Sequence, residues 1–85
     1  MRQSQFEQRY RPQWERLETS LTALEARRRP QASALTDFTA DYQSLCHQLA
    51  LARERGYSLA LQEYLNDLML RAHRQLYRYR TPLLP

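Results

Sequence analysis

The stretch LCHQLALARERGYSLALQEYLNDLML, residues 45–70, decides the fold. Leu45, Leu49 and Ala52 recur at spacings of three and four; Gly56 interrupts, and Leu61, Leu65 and Leu68 resume the spacing behind Ser58. Apolar residues three and four apart form one stripe along a helix. Glycine supplies the left-handed residue that ends a helix, and serine caps the next one. The stretch therefore predicts two helices that fold back on one another.

The pattern extends in both directions. Toward the N-terminus, Leu35, Phe38 and Tyr42 continue the second stripe, with Thr36 or Ser33 as its N-cap. Toward the C-terminus, Ala72 and Leu76 continue the third. A first stripe of Phe6, Tyr10, Trp14, Leu17, Leu21 and Leu24 opens with Ser4 followed by Glu7, the spacing of a capping box. Pro12 falls on the opposite face, where it either kinks the helix or marks a late start. These signals predict helices over about 5–28, 35–55 and 58–80, one bundle domain over 1–80, and a linker beginning at 81–85.

The three stripes are mutually consistent. In an antiparallel pair, residues at one height have numbers that add to a constant. Within one residue this holds for Ala52/Leu61, Leu49/Leu65, Leu45/Leu68, Tyr42/Ala72 and Phe38/Leu76. It holds again for Tyr10/Ala52, Trp14/Leu49, Leu17/Leu45, Leu21/Tyr42 and Leu24/Phe38. Local pattern and global packing agree. The expected fold is all-α, a three-helix up-down-up antiparallel bundle. A core this small leans on a neighbour, either a second copy in a homodimer or the rest of a longer protein.

Composition narrows the chemistry. All 13 basic residues of the 85 are arginine, and they set a net charge of +4. Arginine forks to phosphate or carboxylate, which suits anionic phospholipid head groups, nucleic acid or acidic protein faces. One cysteine, Cys46, leaves no internal disulfide, as expected in a reducing compartment. The start has no apolar h-region, so it is not read as a signal peptide, and no run of about 18 apolar residues occurs. Cys46 and His47 are adjacent and project about 100° apart on a helix, so they do not converge on one metal ion. No metal-ligand spacing and no glycine-rich phosphate loop is present. The expectation is no metal, no cofactor and no enzymatic activity. Glu63, Asp67, Arg71, Arg74 and Arg78 read as a solvated face with an Asp67–Arg71 pair.

Two features point to binding. Leu59, Asn66, Leu70, His73 and Tyr77 share a second arc of the third helix, and Arg53 lies at the edge of the second stripe. The arc is either the rim of a wide buried surface or a contact surface for another chain, with Arg53, Asn66, Leu70, His73 and Tyr77 as its candidate residues. Up-down-up topology also places Arg27, Arg28 and Arg29 at the same pole as Arg74, Arg78 and Arg80. No acidic residue follows Asp67, and Tyr77 and Tyr79 suit a bilayer interface. Cations at helix C-termini also complement the helix dipoles, which explains part of the clustering.

The segments YQSLCHQLALARERGYS (42–58) and LNDLMLRAHRQLYR (65–78), with Phe6, Trp14 and Leu17 ahead of an arginine-rich turn, resemble the N-terminal region of the stage II sporulation protein M family. The most specific parts are Leu49-Ala50 with Ala52-Arg53, Leu65-Asn66, and Arg71-x-His73-x-x-Leu76-Tyr77. Pro12 departs from the family pattern. The resemblance implies a cytoplasmic helical domain on the inner face of the bacterial inner membrane, followed by membrane-spanning helices of its own chain, with RYRTPLLP as the approach to them. By family analogy it also implies a MoxR-type AAA+ ATPase system as partner. The function expected is non-catalytic scaffolding through protein–protein interaction. The alternative is a free-standing basic module that binds nucleic acid. It is disfavoured because Arg27, Arg28 and Arg29 sit in a turn and no helix-turn-helix or aromatic RNA platform is visible, so no specific nucleic acid is expected.

Overall fold

A computed structural model of the chain describes residues 1–80. Its described residues form three helices and no strand: α1 (Gln3–Glu25), α2 (Ala32–Glu54) and α3 (Leu59–Arg80). The expected linker at 81–85 lies outside the described residues.

Each boundary has a local cause. Helix α1 starts earlier than Ser4 would set it, because the Arg2 backbone N–H donates to Gln5 Oε1 at 3.1 Å. The Ser4–Glu7 capping box does not form. Glu7 instead accepts from Gln3 Nε2 at 2.8 Å and from Arg11 Nη2 at 2.7 Å. The helix runs unbroken through Pro12, so the late start is excluded. Proline removes one backbone donor, on a face that is exposed and open to water.

Helices α1 and α2 end alike. Arg27 and Gly56 take positive φ of 64° and 66°. Arg27 N donates to Leu24 O at 2.9 Å and Arg28 N to Ala23 O at 3.2 Å. Gly56 N donates to Arg53 O at 3.2 Å and Tyr57 N to Ala52 O at 3.0 Å. This is the Schellman pattern that satisfies the last carbonyls of a helix. Gly56 thus stops α2 as the sequence predicts, whereas α1 stops three residues short of Arg28 on an unexpected arginine.

Helix α2 begins behind Gln31, and neither Ser33 nor Thr36 caps it. The Thr36 hydroxyl bonds backward to Ala32 O at 3.0 Å, a mid-helix habit of threonine. Ser58 does cap α3, accepting from Leu61 N at 3.2 Å.

The core matches the stripes. Phe6, Trp14, Leu17, Leu21 and Leu24 of α1 are buried against Phe38, Leu45, Leu49 and Ala52 of α2 and Leu61, Leu65, Leu68, Ala72 and Leu76 of α3. Tyr10, Leu35 and Tyr42 pack partly buried against them. Each buried leucine contributes roughly 1.5–3 kcal/mol, most of it offset by chain entropy. All three helix pairs touch. Just ahead of α1 and α3, Tyr57 OH reaches Met1 O at 2.6 Å; between the two helices, Tyr64 reaches Glu18 and Arg71 reaches Glu25. Between α2 and α3, Arg53 meets Asn66 and Tyr42 meets His73.

Candidate interaction surfaces

The outer arc of α3 is a surface rather than a buried rim. Leu59 is 69% exposed, Leu70 46% and Tyr77 67%, and His73 is also exposed. Asn66 is half-buried where α3 meets α2, and its Oδ1 accepts from Arg53 Nη2 at 3.0 Å. The His73 ring lies 6.4 Å from that of Tyr42, tilted by 35°. The structure thus brings Arg53 and Asn66 together and seats His73 on α2, while Leu59, Leu70 and Tyr77 face outward.

The arginines gather beyond one ion pair. Arg71 Nε and Nη2 donate to the two carboxylate oxygens of Glu25, both at 2.9 Å. The pair joins the end of α1 to α3 and displaces the expected Asp67–Arg71 bond. The hydrogen bond from Arg71 holds the Glu25 carboxyl below its ordinary range, with further help from the charges of Arg71 and Arg74. After Glu25 come Arg27, Arg28 and Arg29, all exposed; after Arg71 come Arg74 and Arg78, also exposed. Arg80 ends α3, and its side chain lies outside the described part. Among the described residues, the ion pairs are Glu7–Arg11, Arg16–Asp41 and Glu25–Arg71, so none of these five exposed arginines is neutralised by one. The Arg78 guanidinium lies 5.1 Å from the Tyr79 ring centroid. Arg28 and Arg29 also rim a small hollow of about 150 Å³ with Leu24, Leu35 and Phe38 in its wall.

A polar chain that the stripes do not reveal runs from the core to the surface. Trp14 Nε1–H donates to Gln48 Oε1 at 2.6 Å, and Gln48 Nε2 donates to Gln13 Oε1 at 2.6 Å. Gln13 Nε2 then reaches Asp41 Oδ1 at 3.3 Å, which also accepts from Arg16 at 3.1 Å. The available signal was Trp14 itself, since a buried indole N–H needs an acceptor. Tyr64 is a second missed residue. Burial first, and then its hydrogen bond to Glu18, push its phenol well above the usual range.

Cys46 is half-buried. Burial, and then a hydrogen bond with Cys46, raise the Tyr42 phenol above its ordinary value. Among the described residues no group of three or more His, Cys, Asp or Glu side chains could hold a metal ion. No described helix is long and apolar enough to cross a membrane. What the arrangement offers is a cationic end, an outward apolar arc and shallow grooves.

No curated protein and no solved structure matches the chain. One family model does, over residues 4–78, a span that takes in nearly all of α1, α2 and α3. The chain therefore belongs to the family described as a domain of unknown function (DUF8413).

Proposed function

We propose that the three helices form an up-down-up antiparallel bundle, and that the domain is a non-catalytic scaffold seated by its arginine-rich end on the anionic inner leaflet of a bacterial membrane. Two sets of contacts support the bundle. Those of α1 with α3 advance together, from Met1–Tyr57 just ahead of the two helices through Glu18–Tyr64 to Glu25–Arg71. Those of α2 with α3 run in the opposite sense, Arg53 with Asn66 and Tyr42 with His73. The chain resembles the stage II sporulation protein M family, which motivates placing it in the cytoplasmic part of a membrane protein.

One observation carries the membrane reading. Glu25 is the carboxylate at the end of α1, and it is already engaged by Arg71. Arg27, Arg28, Arg29, Arg74 and Arg78 are left exposed without an ion pair among the described residues. Unneutralised arginines beside tyrosine rings suit phosphate head groups at a bilayer interface, each worth about 1 kcal/mol near an anionic surface. Helix dipoles account for cations in a last turn, but not for three consecutive arginines beyond the end of α1.

Vesicle flotation tests the reading. Binding is expected to vesicles containing anionic lipid, to fall with salt, and to drop when Arg74, Arg78 and Arg80 are replaced by glutamine. Equal binding to neutral vesicles overturns it. Tight, salt-steep retention of random duplex or single-stranded nucleic acid in a gel shift, with no vesicle binding, favours the nucleic-acid alternative.

A further inference from the structure

We infer that the outer face of α3 pairs antiparallel with the same face of a second copy of this chain. This goes beyond the membrane reading and stands without it.

Leu59, Glu63, Asn66, Leu70, His73 and Tyr77 follow one another at alternating steps of four and three. That is the heptad spacing of a helix seam made for another helix. The core stripe of α3 is already used by α1 and α2, so this second seam is additional. Its large apolar members face solvent: Leu59, Leu70 and Tyr77 are among the few exposed large hydrophobic side chains of the described residues.

The seam is complementary to itself in reverse. When it is laid antiparallel on its own copy, the facing residue numbers add to one constant total. Leu59 meets the partner's Tyr77, Glu63 meets the partner's His73, and Asn66 meets the partner's Leu70. Two apolar ends close the interface, and each acidic position finds a basic ring. At the flank, Asp67 comes nearest the partner's Asp67, a like-charge approach that lies outside the seam. The same seam laid parallel would set Glu63 against Glu63 and His73 against His73, so charge selects the antiparallel sense. A shallow groove between α2 and α3, lined in part by Arg53, Leu59, Asn66 and Leu70, lies where the partner's Leu70 would enter. The Arg53–Asn66 hydrogen bond fixes the Asn66 amide there, as a polar residue within a seam fixes register. Antiparallel pairing sends the two arginine-rich ends in opposite directions, so the dimer and an end-on seat for both copies exclude one another.

Sedimentation equilibrium on the whole 85-residue chain, with circular dichroism to verify folding, tests the proposal. The parent is expected to dimerise with concentration. Leu70→Asp, at an exposed position, is expected to keep the helical signal and abolish the dimer. Glu63→Arg and His73→Glu, each replacing the Glu63–His73 pairing by an unfavourable one twice, are expected to weaken association about tenfold. Mixing these two variants in equal amounts is expected to restore association, because each then faces its opposite. A parent monomeric at every concentration, a dimer indifferent to Leu70→Asp, or a mixture no tighter than either variant alone overturns the proposal. None of these results depends on whether the domain binds lipid.

Discussion

Trp14 and Gln48 hold each other inside the α1–α2 contact: the indole N–H donates to the amide oxygen at 2.6 Å, and both side chains are buried. Removing only the acceptor strands a buried donor, which costs about 1–3 kcal/mol. Gln48→Leu is therefore expected to lower the unfolding free energy by that amount in urea titration. Trp14→Phe combined with Gln48→Leu is expected to recover part of the loss, because it removes both partners at once. A double-mutant cycle with no coupling would show that the bond contributes nothing.

Leu45 is fully buried, as are Leu17 and Leu68. Leu45→Asp places an unpaired carboxylate among them, a change expected to exceed about 3 kcal/mol and to unfold much of the chain at room temperature. A melting temperature close to the parent's would contradict the layer pairing of Leu17, Leu45 and Leu68.

Arg27 occupies the left-handed region at φ 64°, where a Cβ is strained. Arg27→Gly is expected to stabilise the fold by about 0.5–1 kcal/mol, the relief of strain being offset in part by the freer unfolded chain. Gly56→Ala is expected to destabilise by about 1 kcal/mol through backbone strain alone, because an added Cβ meets nothing within 4 Å. Paired chemical denaturation curves measure both shifts, which should have opposite signs.

The pH profile of stability should have two flanks. Glu25 has its folded pKa depressed by Arg71, so its contribution is present above the ordinary value of 4.5 and is lost as pH falls through the folded pKa. Tyr64 has its folded pKa raised, chiefly by burial, so its contribution is present below the ordinary value of 10.0 and is lost as pH rises above it. Glu25→Gln should flatten the acid flank, and Tyr64→Phe should flatten part of the alkaline one, with the raised Tyr42 phenol retaining the rest. Thermal melts across pH decide it; an unchanged flank in either variant refutes that assignment.

What the sequence made legible follows period and punctuation. Among the described residues the stripes identified every buried apolar one, and Gly56 and Ser58 marked a turn, because glycine at positive φ and serine at an N-cap have specific backbone reasons to be there. Arg27 carried no such mark, since nothing in an arginine announces a left-handed residue, and the end of α1 was accordingly placed too late. Gln48 was overlooked because an apolar count passes over a polar residue whose reason is a partner 34 positions away. On the surface, the arc of α3 could be placed on the helix by geometry. Its exposure depended on how α2 and α3 lean together, which one helix's periodicity does not encode. The rival partners Asp67 and Glu25 for Arg71 show the same limit, because the distant carboxylate won over the one a helical turn away.

Gln3 grips Ser58 from two sides: its Oε1 accepts from the Ser58 backbone at 2.8 Å while its Nε2 donates to the Ser58 hydroxyl at 3.0 Å. The first turn of α1 is thereby tied to a residue 55 positions later. During translation the ring contacts of Phe6 with Tyr57 and of Trp14 with Tyr64 must wait until the beginning of α3 has left the ribosome. Long-range closures of this kind are entropically late events in folding. Until those contacts form, the aromatic rings at the start of α1 lack part of their cover.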